Sequence, residues 1–293
     1  MTESHIPIDQ LLRIADGLSD ASAEEHLARC APCRDDLSTV RRFEASWSSA
    51  DETAPHESND GGSETIIRTF EQRIRHEDEE ARELLETLLA EQTGEYALGI
   101  GRRGVRYRTG GVVRLLCAAS QQSLALNVLR ATILADEPVD IAQALPEDLY
   151  PHSHVEILRG NAWKARANAL RFEGSSFRSA LDALDHAERA YRRLPSPEYY
   201  LATCDYVRAT VYARMDQSDK ARAFARQSGE AFLSFRDHER YGHARAVEGA
   251  ALFDSGQFSE ARDVFAELVT AAEASGDRSS QPRALLALVE LQG

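Results

Sequence analysis

Three stretches of the chain repeat one pattern: WKARANALRFEGSSFRSALDALDHAERAY (163–191), YVRATVYARMDQSDKARAFARQSGEAF (206–232) and ARAVEGAALFDSGQFSEARDVFAELV (244–269). Anchor alanines Ala180, Ala221 and Ala261 recur at intervals of 41 and 40 residues. A turn signal precedes each anchor: Gly174 before Phe177, Asp216 before Asp219, and Gly256 before Phe258. One helix–turn–helix unit cannot bury its own apolar face, so units of this kind stack on their neighbours and share a core. From Glu64 onward Ala, Leu, Arg and Glu dominate and β-branched runs are scarce, so no strand pattern competes with the helical one. The expected fold is all-α.

The repeat resembles the tetratricopeptide repeat, in which small residues let paired helices approach closely and large ones fill the seam. The third unit carries Gly249, Leu252, Gly256, Phe258, Ala261 and Phe265 at the family's positions. The first supplies Trp163 at the large position, but with a one-residue insertion at its turn and Arg166 where leucine is usual. The period exceeds the roughly 34 residues of the family, which calls for longer helices. The resemblance implies an α-solenoid over 161–293 with a groove for a peptide or protein, ending in a capping helix at 284–291. Residues 64–160 form a helical region with degenerate repeats, one of them at 109–134.

That region opens with a long helix, 64–91. Ile66, Ile67, Phe70 and Ile74 make one apolar stripe, and Leu84, Leu85, Leu88 and Leu89 resume it. The charge run RHEDEEAR (75–82) between them reads as a solvated face. Ahead of this helix, residues 49–63 are polar, rich in Gly, Ser and Asp, and read as a flexible linker.

Residues 1–48 form a separate small segment with three short helices. IDQLLRIADG (8–17) places Ile8, Leu11, Leu12 and Ala15 on one face and stops at Gly17. SAEEHLARC (22–30) offers Ser22 and Glu25 as a capping box. PCRDDLSTVRRFEASW (32–47) starts with Pro32 and turns Leu37, Val40 and Trp47 inward. Fewer than about fifty residues bury little surface, and a structural metal is the usual remedy. HLARCAPC (26–33) supplies the ligands, His26, Cys30 and Cys33 in the pattern H-x3-C-x2-C. Two thiolates and an imidazole suit Zn2+, and His26 lies one helical turn before Cys30 on the same face. His5, just ahead of the first helix, is the best-placed fourth ligand, with Asp9 and His56 as alternatives. Four protein ligands and no H-E-x-x-H motif make this a structural site rather than a catalytic one.

These pieces together resemble the zinc-binding anti-sigma factor domain, which has an upstream His or Cys, a helix ending in a DG turn, and then H-x3-C-x2-C. Here they are His5, LLRIADG (11–17) and HLARCAPC, so the resemblance covers residues 5–48. The interval from His5 to His26 is a few residues shorter than the family's. The resemblance implies a bacterial regulator that binds and inhibits an extracytoplasmic-function sigma factor, with the repeats as a second protein- or peptide-binding surface. The alternative is a repeat scaffold unrelated to transcription, in which the zinc module is only structural.

Charge and motif content narrow the function classes. The net charge of −14 argues against direct nucleic-acid binding and favours a partner with a basic patch. No apolar run reaches the roughly eighteen residues of a membrane span, and the N-terminus has no signal-peptide pattern, so a cytoplasmic protein is expected. Cys117 and Cys204 stand alone in apolar helical stretches and read as small core residues. GIGRRG (99–104) has dinucleotide-loop spacing without the preceding strand. Its arginines, with Arg106 and Arg108, read as a solvated loop, and His152, His154, His238 and His243 as loop or helix-surface residues. No catalytic constellation is evident, so the chain is not expected to be an enzyme.

Overall fold

A computed structural model describes residues 6, 14, 21–31, 33, 34, 37, 62–91, 99, 100, 104–145, 150–174 and 176–275. They form ten α-helices: α1 (Ala21–Arg29), α2 (Gly62–Glu91), α3 (Gly110–Ser123), α4 (Val128–Gln143), α5 (His152–Leu170), α6 (Phe177–Tyr191), α7 (Glu198–Arg214), α8 (Ser218–Ser234), α9 (His238–Asp254) and α10 (Phe258–Ser275). A 3-10 turn spans Val105–Tyr107, and no strand is present among the described residues. The all-helical, solenoid-like class expected from the repeats is therefore observed. The chain divides into two compact units, residues 1–165 with 190–196, and residues 166–189 with 197–293.

In the first unit α2 packs on α3, and α3 on α4. The 109–134 stretch resolves into a helical hairpin whose second arm runs on to Gln143. Thr109 caps α3 by accepting the Val112 N–H, and Asn127 caps α4 by accepting that of Arg130. Gly111 explains how closely α2 approaches, because a Cβ there would lie 2.3 Å from the Glu77 carbonyl oxygen. Around this contact Leu85, Val112, Val113, Leu116, Ile141 and Leu158 are fully buried. The charge run of α2 departs from expectation, since Glu77 is buried and Asp78 half-buried. Both carboxylates face Arg114 of α3, with Nη2 3.4 Å from Glu77 and Nε 2.9 Å from Asp78. A helix with carboxylates one turn from its apolar stripe can bury them once a neighbour supplies the cation.

In the second unit α7 packs on α8, α8 on α9 and α9 on α10, and α9 also touches α7. Each first helix of a repeat starts several residues before the sequence pattern suggests. The turns share one geometry. Asp216, Arg236 and Gly256 have φ of 55°, 58° and 77°. The next residue then donates back across the helix end: Gln217 to Tyr212 O at 3.0 Å, Asp237 to Phe232 O at 2.9 Å, and Gln257 to Leu252 O at 2.9 Å. This left-handed closure satisfies carbonyls that a helix end otherwise leaves open. Anchor residues Ala180, Ala221 and Ala261 are completely buried. Gly174 (φ 72°) lies four residues past the end of α5 and six before its anchor, whereas Asp216 and Gly256 lie two past their helix ends and five before theirs, so the connection in the first unit is longer on both sides of its left-handed residue.

The N-terminal segment has its own apolar cluster of Ile6, Ile14, Ala23, Cys30, Cys33 and Leu37, with Leu27 against it. Residue 14 is helical, as are residues 31, 33, 34 and 37; the remainder of the expected first and third helices lies outside the described residues. So do residues 49–61 of the linker expected at 49–63 and the capping helix at 284–291, while Gly62 and Ser63 belong to α2. Helix α1 already begins at Ala21, so Ser22 sits exposed inside its first turn rather than at the cap, and Glu25 pairs with Arg29 one turn on.

Candidate metal centre

Helix α1 sets the spacing of the three described ligands. The Cys30 N–H donates to His26 O at 2.9 Å and the Arg34 N–H to Cys30 O at 3.2 Å, so helical bonding carries through from His26 to the following turn. Cys30 and Cys33 are buried (6% and 1% exposed) and His26 is half-buried. Their two sulfurs and one ring nitrogen lie within 4.8 Å of one another. Donor atoms around a tetrahedral ion sit ~3–4 Å apart, so small side-chain rotations close the set. Two thiolates and an imidazole are soft and borderline donors, the chemistry that selects transition-metal ions over calcium or magnesium.

Two further contacts support the site. The backbone N–H of Ile6 donates to Cys33 Sγ at 3.3 Å, across 27 residues of sequence. An amide donor on sulfur stabilises a thiolate and orients it for a metal. Arg34 donates through Nη1 to the carbonyls of Leu27 and Ala28, at 2.8 and 2.9 Å, capping the end of α1 with a cation. The His26–Cys30–Cys33 set can therefore hold a metal ion and tie the start of the chain to the end of α1. His5, Asp9 and His56 lie outside the described residues.

Other residues singled out by sequence sort differently. His154 is not a surface histidine. Its ring packs edge-on against Phe70 (5.3 Å, 87°) and stacks on Tyr150 (5.7 Å, 21°), with Nε2 3.4 Å from Arg114 Nη1. Burial, then the charges of Arg114 and Arg73, push its pKa down to about 4. Tyr150 accepts the Gly110 N–H at 3.0 Å, and burial followed by the Glu77 charge pushes its phenol up to about 12. No sequence motif marks this group, because it is assembled from α2, α3 and the start of α5. His238 is exposed, and His152 and His243 are half-buried.

The GIGRRG loop is held from inside: the Gly99 and Ile100 N–H groups both donate to the Glu137 carboxylate, the second at 2.8 Å. The amides a phosphate would need are thus engaged by α4. Arg106 is exposed and lies over the Tyr107 ring, 4.9 Å from its centroid, and Arg108 is exposed too; Arg102 and Arg103 lie outside the described residues. Cys117 and Cys204 pack as small apolar residues, and burial drives the Cys117 thiol up to about 12.

No protein-family model matches this sequence, and no curated protein matches it. Among the described residues, no helix is long and apolar enough to cross a membrane.

Proposed function

We propose that the chain is a zinc-dependent regulatory binding protein whose N-terminal segment grips an extracytoplasmic-function sigma factor. The observation that carries this reading is the convergence of His26, Cys30 and Cys33 within 4.8 Å at the end of a short helix. Zn2+ is the ion that two thiolates and an imidazole favour, and a fourth protein ligand makes the site structural. His5 is the proposed fourth ligand, a reading supported by the hydrogen bond from the backbone N–H of its chain neighbour Ile6 to Cys33 Sγ. The metal then holds a small helical wedge for the partner to engage. The acidic chain suits a partner with basic polymerase- and DNA-facing surfaces, through steering of the encounter.

The second unit adds a groove of about 700 Å3 between α8 and the α9–α10 pair, floored by Leu252 and Val264 with the buried Glu248 beside them, and rimmed by Arg222, Arg226 and Glu260. A groove with an apolar floor and a charged rim suits a peptide or protein segment, a second surface on the same regulator. No membrane or nucleic-acid contact is needed for either role.

The test is the affinity of the full chain for a purified extracytoplasmic-function sigma factor, measured with zinc bound and after chelation. Binding that is present with zinc, lost on chelation and lost in Cys33→Ser supports the proposal. Zinc uptake without sigma-factor binding would leave the scaffold reading, with the zinc module only structural, in its place.

A further inference from the structure

We infer that Arg171, Phe172 and Arg214 form an oxyanion-binding site in the second unit. Arg171 directly follows α5, and Arg214 is the last residue of α7. Both guanidiniums rest on one ring, with Cζ 4.6 Å (Arg171) and 5.1 Å (Arg214) from the Phe172 centroid. Both cations share this ring, and the charge of Arg214 acts on Arg171, a repulsion that a bound anion relieves.

No carboxylate in the described residues does so. Among the described residues neither arginine forms an ion pair, and the Arg171 Nε is buried with no hydrogen-bond partner. Glu173, two residues along, accepts instead from the Ser176 hydroxyl at 2.8 Å. Burial first, with Arg214 adding to it and Tyr206 opposing, lowers the Arg171 pKa to about 10. For Arg171, which is half-buried, the contrast with the buried Arg208 and half-buried Arg245 of the same unit is direct. Arg208 meets Asp185 at 2.9 Å, Asp205 at 3.3 Å and also Glu188. Arg245 meets Glu248 and Glu267 at 2.5 and 2.7 Å. In a chain with 48 acidic and 34 basic residues, carboxylates are not scarce, so two uncompensated arginines on one ring are a specific arrangement.

Helix ends offer a competing account, because the carbonyl ends of α5 and α7 attract cations. That attraction is diffuse, and it leaves the buried Arg171 Nε–H without an acceptor. A buried donor without a partner calls for a water or an ion, and a desolvated cation calls for an anion. An oxyanion meets both demands at once, accepting from the planar guanidinium fork of Arg171 while Arg214 balances its charge. The ligand class is a phosphate or carboxylate group, free or carried on a larger molecule.

The test follows thermal unfolding of the full chain in chloride, inorganic phosphate or N-acetylaspartate at matched ionic strength, for wild type, Arg171→Met and Arg214→Met. Binding raises the wild-type midpoint by about 2–4 °C over chloride, by less in Arg214→Met, and not at all in Arg171→Met. A rise with phosphate alone assigns a phosphoryl ligand, and a rise with N-acetylaspartate a carboxylate. Should Arg171→Met fail to fold, the exposed Arg214 still separates the outcomes. Equal rises in wild type and both variants reflect general salt exclusion from the surface and overturn the proposal.

Discussion

His154 turns a sequence ambiguity into a measurable quantity. In PHSHVE it is indistinguishable from a solvated histidine, because what buries it arrives from elsewhere: Phe70 and Arg73 from α2, Arg114 from α3, and Tyr150 just before α5. Glu77 and Asp78 complete the group, tied to Arg114 and Arg73. The folded state holds the imidazole neutral down to about pH 4, whereas the unfolded chain protonates it near 6.5. Between those values the unfolded state binds more protons, so stability falls as pH drops from 6.5 to 4 and levels off below. The loss is about 2–3 kcal/mol. Urea unfolding at pH 7 and pH 4.5 should show wild type losing that much more than His154→Phe, whose ring keeps the aromatic packing. Parallel losses in the two proteins would show that His154 does not titrate as buried. The candidate metal ligands were easier to read than this group, because H-x3-C-x2-C is local, with His26 on α1 and the two cysteines just past its end.

At the level of elements, the repeats were legible as helix pairs because the buried alanines and turn residues recur at fixed distances. Helix starts were less so: each first helix extends toward the N-terminus through residues such as Tyr199 and Tyr241, whose packing against Phe232 comes from the neighbouring helix rather than from local periodicity. The turn after α8 was missed for a related reason. Its left-handed residue is Arg236, which carries none of the signal of Gly256 or Asp216, yet it adopts φ 58°. Asp237 beside it caps α9, accepting the Arg240 N–H at 3.0 Å and the Tyr199 hydroxyl at 2.7 Å. That network holds a strained backbone in place. Arg236→Gly should therefore raise stability by about 1 kcal/mol, and Gly256→Ala should lower it by a similar amount, because only glycine takes this conformation without a Cβ penalty. Denaturant midpoints at unchanged slope measure both. A destabilised Arg236→Gly would mean that the arginine side chain contributes more than its backbone costs.

Among the described residues, the apolar cluster that includes the cysteines draws on residues 6–37, while the large core of the first unit runs from Ala81 to Ala162. A metal held by His26, Cys30 and Cys33 would therefore stabilise a different part of the chain from the helical hairpins. In a small metal module, ion binding supplies most of the folding free energy, about 10–16 kcal/mol in zinc-finger peptides. Chelation should then melt the N-terminal segment while α2 to α10 keep their structure, and Cys30→Ser should behave as the chelated protein does. Hydrogen exchange reads this directly. Amides of Cys30 and Arg34, which bond to His26 O and Cys30 O, should lose protection, while those of Ala221, Tyr241 and Ala261 at the repeat turns should not change. If protection fell equally at the repeat turns, the metal would be stabilising the helical array as well, and the division of labour between a metal-held end and self-supporting repeats would be wrong.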